Sequence, residues 1–476
     1  MQFSKLRSKK VIEVDMLNGP IFWRIFAFSI PLILSSILQL LFNAADIIVV
    51  GRFAGSEALA AVGSTSALIN LLINLFMGVS IGASVVMGRN VGAGRDQDAS
   101  DTLHTAMTFS FIAGIIMVFL GYFASPPLLL MMGTPEEVLP LASLYMRTYF
   151  IGMPAFMIYN FGAALLRAIG DTKRPLYFLT IAGIVNLCFN LIFVIVFKLS
   201  VLGVAIATVI SQYVSAFLII LSLRKSESYM RLYWDRLRIH SSKLLEMLKI
   251  GLPAGLQGAI FSISNVLIQS SVNSFGKIAM AGNTAASNLE GFVYVSMNAI
   301  YQASLSFTSQ NFGAKQYKRI DKILAVSLLT VSIIGVSLGV LCYLAGNTLL
   351  SIYTSDPEVI KIGILRLGII AIPYFFCGLM DVLCGSLRGL GYSFAPMLIS
   401  LTGACILRVV WVFTIFNIYR TLPSLYISYP ISWLLTAIMH MIFYIVIRQK
   451  KIKPLIKEQE RNEQSIEALM SGQANE

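Results

Sequence analysis

The sequence predicts an all-α polytopic membrane protein, with twelve transmembrane helices arranged as two six-helix lobes by a parallel internal repeat. Three observations predict it. Of 476 residues, 57% are hydrophobic and only 12% charged, about half the charged share of a soluble domain. Long apolar runs such as "TFSFIAGIIMVFLGYF" recur twelve times, as helices crossing lipid require and as the ten-residue alternation of a β-barrel does not. The chain also repeats itself at a spacing of about 221 residues.

Taken in order, the runs fall at about 21–49, 58–87, 102–124, 138–165, 175–197, 201–223, 245–273, 279–307, 321–344, 359–385, 394–417 and 424–447. Several exceed twenty residues, which permits tilt or bending. Pro31, Pro154, Pro253, Pro373 and Pro430 lie inside them and are the expected bend points. With the N-terminus placed in the cytoplasm, the inner segments carry 28 Lys and Arg and the outer segments five, Arg52, Lys198, Lys277, Lys361 and Arg420. This asymmetry predicts that both termini are cytoplasmic.

The repeat is carried by short matches in chain order. "NVGAGR" at 90–95 returns as "NFGAKQ" at 311–316, and "LLRAIGDTKRP" at 165–175 as "SLRGLGYSFAP" at 386–396. "SIPL" at 29–32 meets "GLPA" at 251–254, and Arg147 and Pro154 recur as Arg366 and Pro373. An even number of spans per half makes the two copies enter the membrane the same way round, a known transporter plan. The expected organisation is a cytoplasmic N-terminal segment (1–20), an N-lobe (21–223), a cytoplasmic linker (224–244), a C-lobe (245–448) and a cytoplasmic tail (449–476). In the stretch around the linker, Tyr229, Tyr233 and Trp234 among basic residues suggest an interfacial helix or a charged connector. The tail reads as solvated and partly helical.

The net charge of +13 reflects topology and contact with anionic lipid, and points to no nucleic-acid partner. No signal peptide is visible in the polar first twenty residues. The five cysteines, Cys188, Cys342, Cys377, Cys384 and Cys405, fall within apolar spans and read as packing residues. His104, His240 and His440 are far apart, and HExxH, GxSxG and Walker A patterns are absent, so neither an enzyme nor an ATP-driven pump is expected, and no cofactor.

One residue stands against the apolar background. Asp46 sits within "QLLFNAADIIVV", where an ionised carboxylate costs roughly 2.5–3.5 kcal/mol at the bilayer centre. It either serves an ion or substrate pathway or caps polar groups at a helix bend. Asn43, one turn earlier, presents a second polar group on the same side. Glu290 and Asp381 are the other deep carboxylates. They either form a site together, or Asp381 pairs with Arg366, Arg388 or Arg408 and is structural. Arg147 and Arg366 sit where a long side chain can snorkel or staple a lobe, and Arg167 and Arg388 read as cytoplasmic loop anchors.

"QLLFNAADIIVVGRFAGSEALAAVG", "GRNVGAGR", "YNFGAALLRAIGDTKRPLYFLTIAG" and "DVLCGSLRGLGYSFAP" resemble the multidrug and toxin extrusion (MATE) family, its bacterial branches more than the eukaryotic one. The resemblance implies two six-helix lobes around a central cavity and a monomer in the bacterial plasma membrane. It also implies efflux of organic, mostly cationic drugs in exchange for H+ or Na+ by alternating access. It maps the family's Gln-x-x-x-Asn-x-x-Asp pattern onto Gln39, Asn43 and Asp46. Coupling-ion partners are expected at Asn186, Asn190 and Thr208, with Asp46, Asn186, Asn190 and Thr208 as the candidate Na+ ligands. Asn190 stands where many relatives carry a second Asp, so a two-carboxylate proton relay gives way to oxygen ligation. Glu290 and Asp381 are candidates for a second-lobe ion site, and Gln39, Met157, Tyr159 and Asn160 for the substrate cavity. A lipid-linked saccharide flippase of the same broad superfamily is the rival reading. It should show several cavity-facing cations, where the deep residues here are mainly acids and amides.

Overall fold

The computed structural model describes residues 13–473, and the described residues contain helices and no strand. The first twelve residues of the expected N-terminal segment and the last three of the tail lie outside the described residues. In chain order the helices are α1 Ile21–Phe53, α2 Ser56–Gly92, α3 Asp96–Met131, α4 Leu139–Ile151, α5 Met153–Ala168, α6 Lys173–Leu191, α7 Ser200–Lys225, α8 Ser241–Asn273, α9 Lys277–Gly313 and α10 Tyr317–Leu344. They continue with α11 Gly346–Ser351, α12 Pro357–Ile370, α13 Phe375–Gly389, α14 Phe394–Ser400, α15 Leu407–Phe413, α16 Ile415–Ile418, α17 Leu422–Tyr426, α18 Ser428–Ile447 and α19 Lys453–Gln473.

Among the described residues nine helices are long and apolar enough to cross a membrane, and two bent pairs raise the number to eleven. α9 is 37 residues long and stands outside that group because Asn283, Asn288, Glu290, Asn298 and Gln302 dilute its apolar character. With α9 counted, each of the sequence-derived spans has its helical pass. The bent pairs are α4–α5, turning by 50°, and α12–α13, turning by 40°. Pro154 and Pro373 stand at these breaks, where a missing N–H and a ring clash interrupt the ladder. Pro31 and Pro253 are accommodated inside continuous helices.

The duplication is visible in the backbone. Positive φ occurs at Gly55 and Gly276 (91° and 88°), at Gly94 and Lys315 (66° and 59°), and at Gly170 and Gly391 (97° and 86°), each pair one repeat apart. These are turns between passes, where a left-handed residue reverses the chain. At Gly170 the demand is also steric, because a Cβ would sit 2.4 Å from the Val14 carbonyl oxygen, and the Val14 N–H donates to the Gly170 carbonyl at 3.0 Å.

The chain forms two compact units, one running to Leu267 and the other from Ile268, so their boundary falls inside α8. In the first unit α3 packs on α4 and α5, α6 on α7, and α1 on α6. The first part of α8 crosses α2 almost backbone to backbone: a Cβ on Gly78 would lie 2.1 Å from the Gly255 nitrogen, and one on Gly82 2.1 Å from the Met247 carbonyl oxygen. Small residues permit this approach, and van der Waals contact then holds the helices where lipid offers no hydrophobic gain. In the second unit α9 packs on α10, α12 and α13, and α13 on α18.

Of the two readings of the stretch between α7 and α8, an interfacial helix or a charged connector, the first is not seen, since the structure shows no continuous helix there. The stretch holds two short 3-10 turns, Ser228–Met230 and Trp234–Arg236, and docks on α3. The Tyr233 N–H donates to His104 Nε2 at 3.1 Å and the His240 N–H to Thr105 Oγ1 at 3.1 Å, while Met230 and Leu232 are buried. Guanidinium groups of Arg231 and Arg236 lie 5.2 and 4.9 Å from the Tyr233 ring centre, so Tyr233 is engaged within the protein, while Trp234 is exposed. Four of the five cysteines are buried and all five are free. The tail is helical through α19, where Lys318 meets Glu460 at 2.7 Å.

Candidate functional site

The first unit assembles a polar chain from three passes. α6 carries Asn186 and Asn190 four residues apart, hence on one face, and both are buried at 6% and 0% exposure. α1 brings the half-buried Asp46 and α7 brings Thr208. The Asn190 amide donates to the Asp46 carboxylate and lies 3.4 Å from the Asn186 carbonyl oxygen. The Asn186 amide reaches Thr208 Oγ1 at 3.4 Å, and the Thr208 hydroxyl donates to the Val204 carbonyl at 2.9 Å. Every donor is thus turned toward the next acceptor along the chain of side chains from α1 through α6 to α7. Asn190 Oδ1 is buried without a hydrogen-bond partner, an arrangement suited to a small cation, because a buried unfilled acceptor is otherwise unfavourable. A π-helical turn, Ile192–Val196, begins just past Asn190, a local irregularity of the kind that recurs at functional sites.

Gln39 and Asn43 are exposed on α1, seven and three residues before Asp46, on the same helical face. Tyr159 and Asn160 are half-buried on α5; the Tyr159 hydroxyl donates to the Pro175 carbonyl at 3.0 Å and the Asn160 amide to the Phe156 carbonyl at 2.8 Å. Met157 corrects the expectation of a cavity-lining residue. It stands with Met153 and Phe161 in a stripe of four-residue spacing, all three at 0% exposure, so it is core packing.

In the second unit Glu290 and Asp381 are not joined. Glu290 instead faces Arg366: Nε reaches one carboxylate oxygen at 2.9 Å and Nη2 the other at 2.7 Å, a two-pronged geometry typical of strong Arg–carboxylate pairs. Arg366 also donates to Asn283 at 2.5 Å and Ser287 at 3.1 Å, so it ties α12 to α9. Asp381 is half-buried on α13. Arg388 is buried and donates to the Tyr301 hydroxyl at 2.8 Å. In the first unit Arg147 reaches the Tyr122 carbonyl at 3.1 Å and covers its ring at 4.8 Å, joining α4 to α3.

Sequence reasoning named Arg408 on α15 only as a possible partner of Asp381; the structure buries it, 3% exposed, among other groups. Its Nε donates to Ser432 Oγ at 2.8 Å, and its guanidinium lies 4.3 Å from the Tyr429 ring centre and 5.3 Å from that of Trp433. The reasoning that singled out Asp46, a charge inside an apolar run, applies to it equally.

A helical membrane protein built from a duplicated six-pass unit, with a carboxylate–amide–hydroxyl cluster at one pass junction, has the architecture of a secondary transporter. The MatE family model matches residues 31–192 and 253–414, one match per repeat, and the chain belongs to this family of membrane transporters. It is 27% identical over 463 residues to the probable multidrug resistance protein YoeA of Bacillus subtilis, covering 94% of this chain and 99% of that protein. It is 29% identical to an FAD transporter of Shewanella oneidensis, covering 73% of this chain and 77% of that protein. Its fold is that of a MATE transporter of Vibrio cholerae, with a TM-score of 0.84 at 22% identity, over 91% of this chain and 98% of that one.

Proposed function

We propose that this protein is a cation-coupled efflux antiporter for small organic compounds, mostly cationic, working by alternating access. The observation that carries the reading is the bond between the Asp46 carboxylate and the buried Asn190 amide, with Asn186 and Thr208 behind it. A single carboxylate inside an apolar helix, backed by neutral oxygens, can bind a proton or neutralise its charge with Na+. Ion and cationic substrate then compete for one negative charge, and this competition couples their movements. Oxygen ligands without a second acid favour Na+ among the two ions, since hard cations take carboxylate, amide and hydroxyl oxygens. The names of relatives, multidrug resistance protein YoeA and multidrug export protein MepA of Staphylococcus saprophyticus, support the substrate range. In this reading the protein acts as a monomer in the plasma membrane with both termini cytoplasmic, and the two six-helix lobes are the moving bodies.

The test is transport of ethidium, a fluorescent organic cation, in proteoliposomes with Na+ and pH gradients imposed separately. The reading predicts movement driven by one of the two, which names the ion. Failure of both gradients, with correctly inserted protein, overturns it.

A further inference from the structure

Among the described residues the passes of the second unit bury three arginines, Arg366, Arg388 and Arg408, and one carboxylate, Glu290. Glu290 takes Arg366, and Arg388 donates to the Tyr301 hydroxyl. Arg408 is left with Ser432 as its hydrogen-bond acceptor, and its Nη2 is buried without any partner. A buried guanidinium with an unfilled donor is costly, and the faces of Tyr429 and Trp433 offset its charge only in part. The position therefore has room in its chemistry for an anion.

A second, independent feature leads to the same place. Tyr294, 38% exposed, stacks on Tyr374 with ring centres 6.5 Å apart. Tyr374 stacks in turn on Trp433 at 4.9 Å, and Trp433 lies against Tyr429 at 5.6 Å. This ladder of rings runs from an accessible edge to the guanidinium. Where Arg408 already covers the ring faces, a second cation would meet like charge, whereas a planar ring bearing an acid group finds stacking partners and a donor together.

We propose that Arg408 and the Tyr294–Tyr374–Trp433 ladder form a binding site for small aromatic anions, in which the acid group meets Arg408 Nη2 and the ring stacks on the ladder. The site widens the substrate range of the proposed exporter to aromatic carboxylates and phosphates, and in that sense rests on the exporter reading. A lipid headgroup could supply the anion but not the planar ring.

The test is equilibrium binding of fluorescein, an aromatic carboxylate, to the full-length protein in detergent, followed by fluorescence anisotropy beside ethidium. Saturable fluorescein binding is expected, weakened at least tenfold in Arg408→Gln, with ethidium binding changed less than twofold. Arg408→Lys, which keeps the charge without the planar fork, should fall between. If Arg408→Gln does not fold, Tyr374→Leu removes a rung of the ladder and should weaken fluorescein about tenfold. The proposal is overturned if the native protein does not bind fluorescein, if Arg408→Gln binds it as well as native, or if both dyes weaken together. Displacement of fluorescein by phosphatidylglycerol would assign the site to a lipid and overturn it as well. Fluorescein binding without gradient-driven ethidium transport would contradict the exporter reading and leave the site standing.

Discussion

Asn190 on α6 donates its side-chain amide to Asp46 on α1, so this carboxylate within an apolar helix is held by a residue 144 positions away. Hydrogen bonds to a charged group contribute about 1.5–3 kcal/mol, enough for a tenfold change in an equilibrium. Asn190→Leu should therefore lower gradient-driven ethidium transport at least tenfold with expression retained. Asn190→Asp sets two carboxylates together, and one of them must hold a proton. Transport by that variant should respond more to a pH gradient and less to Na+, as initial rates under each gradient would reveal.

Glu290 and Arg366 form a buried ion pair, with side chains 5% and 6% exposed. Removing one member leaves a naked charge, destabilising by roughly 3–5 kcal/mol, while replacing both with apolar groups is often tolerated. Glu290→Leu should lower the detergent melting temperature sharply, and Glu290→Leu with Arg366→Met should recover most of the loss. An unchanged melting temperature in the single variant would contradict the stapling role.

The α2–α8 crossing depends on absent side chains. Gly255→Leu should force the two backbones apart, because even a Cβ there would lie 2.3 Å from the Leu75 carbonyl oxygen. Asn74 and Ser262 are hydrogen-bonded at 3.4 Å in the same crossing. Cysteines at these two positions, in a cysteine-free background, should form a disulfide readily, and much less so when Gly255→Leu is added.

His104 anchors the segment between α7 and α8. Its Nδ1 faces the Ser100 carbonyl at 2.7 Å and its Nε2 accepts from the Tyr233 N–H, so the ring bridges α3 and the segment. His104→Ala should speed tryptic cleavage at Arg231, Arg236 and Arg238 severalfold, measured by mass spectrometry of the fragments. An unaltered cleavage rate would mean that Met230 and Leu232 hold the segment alone.

Much of this was legible in the chain. Apolar runs gave the passes because lipid admits few alternatives to a helix, and Pro154 and Pro373 marked the bends because proline breaks a ladder wherever it falls. Asp46 stood out as a charge in an apolar run, Asn186, Asn190 and Thr208 were singled out through family resemblance, and the fold brings all four into one hydrogen-bonded chain. Pairing was not legible. Whether Glu290 faces Asp381 or Arg366 depends on how α9, α12 and α13 are rotated, which apolar periodicity fixes poorly when α9 carries polar residues around much of its surface. Nor did composition distinguish an interfacial helix from a docked strap between α7 and α8, since the same tyrosines and arginines serve both. Arg408 was visible as a charge in an apolar run, but its significance rests on Tyr429 and Trp433, which reach it from another pass.

The central claim, that the Asp46 cluster couples an ion to substrate movement, is tested most directly by ethidium transport in proteoliposomes containing the native protein or Asp46→Asn at matched insertion. The account predicts gradient-driven transport by the native protein and its loss, at least tenfold, in the variant. Native rates in Asp46→Asn under the same gradient would contradict it.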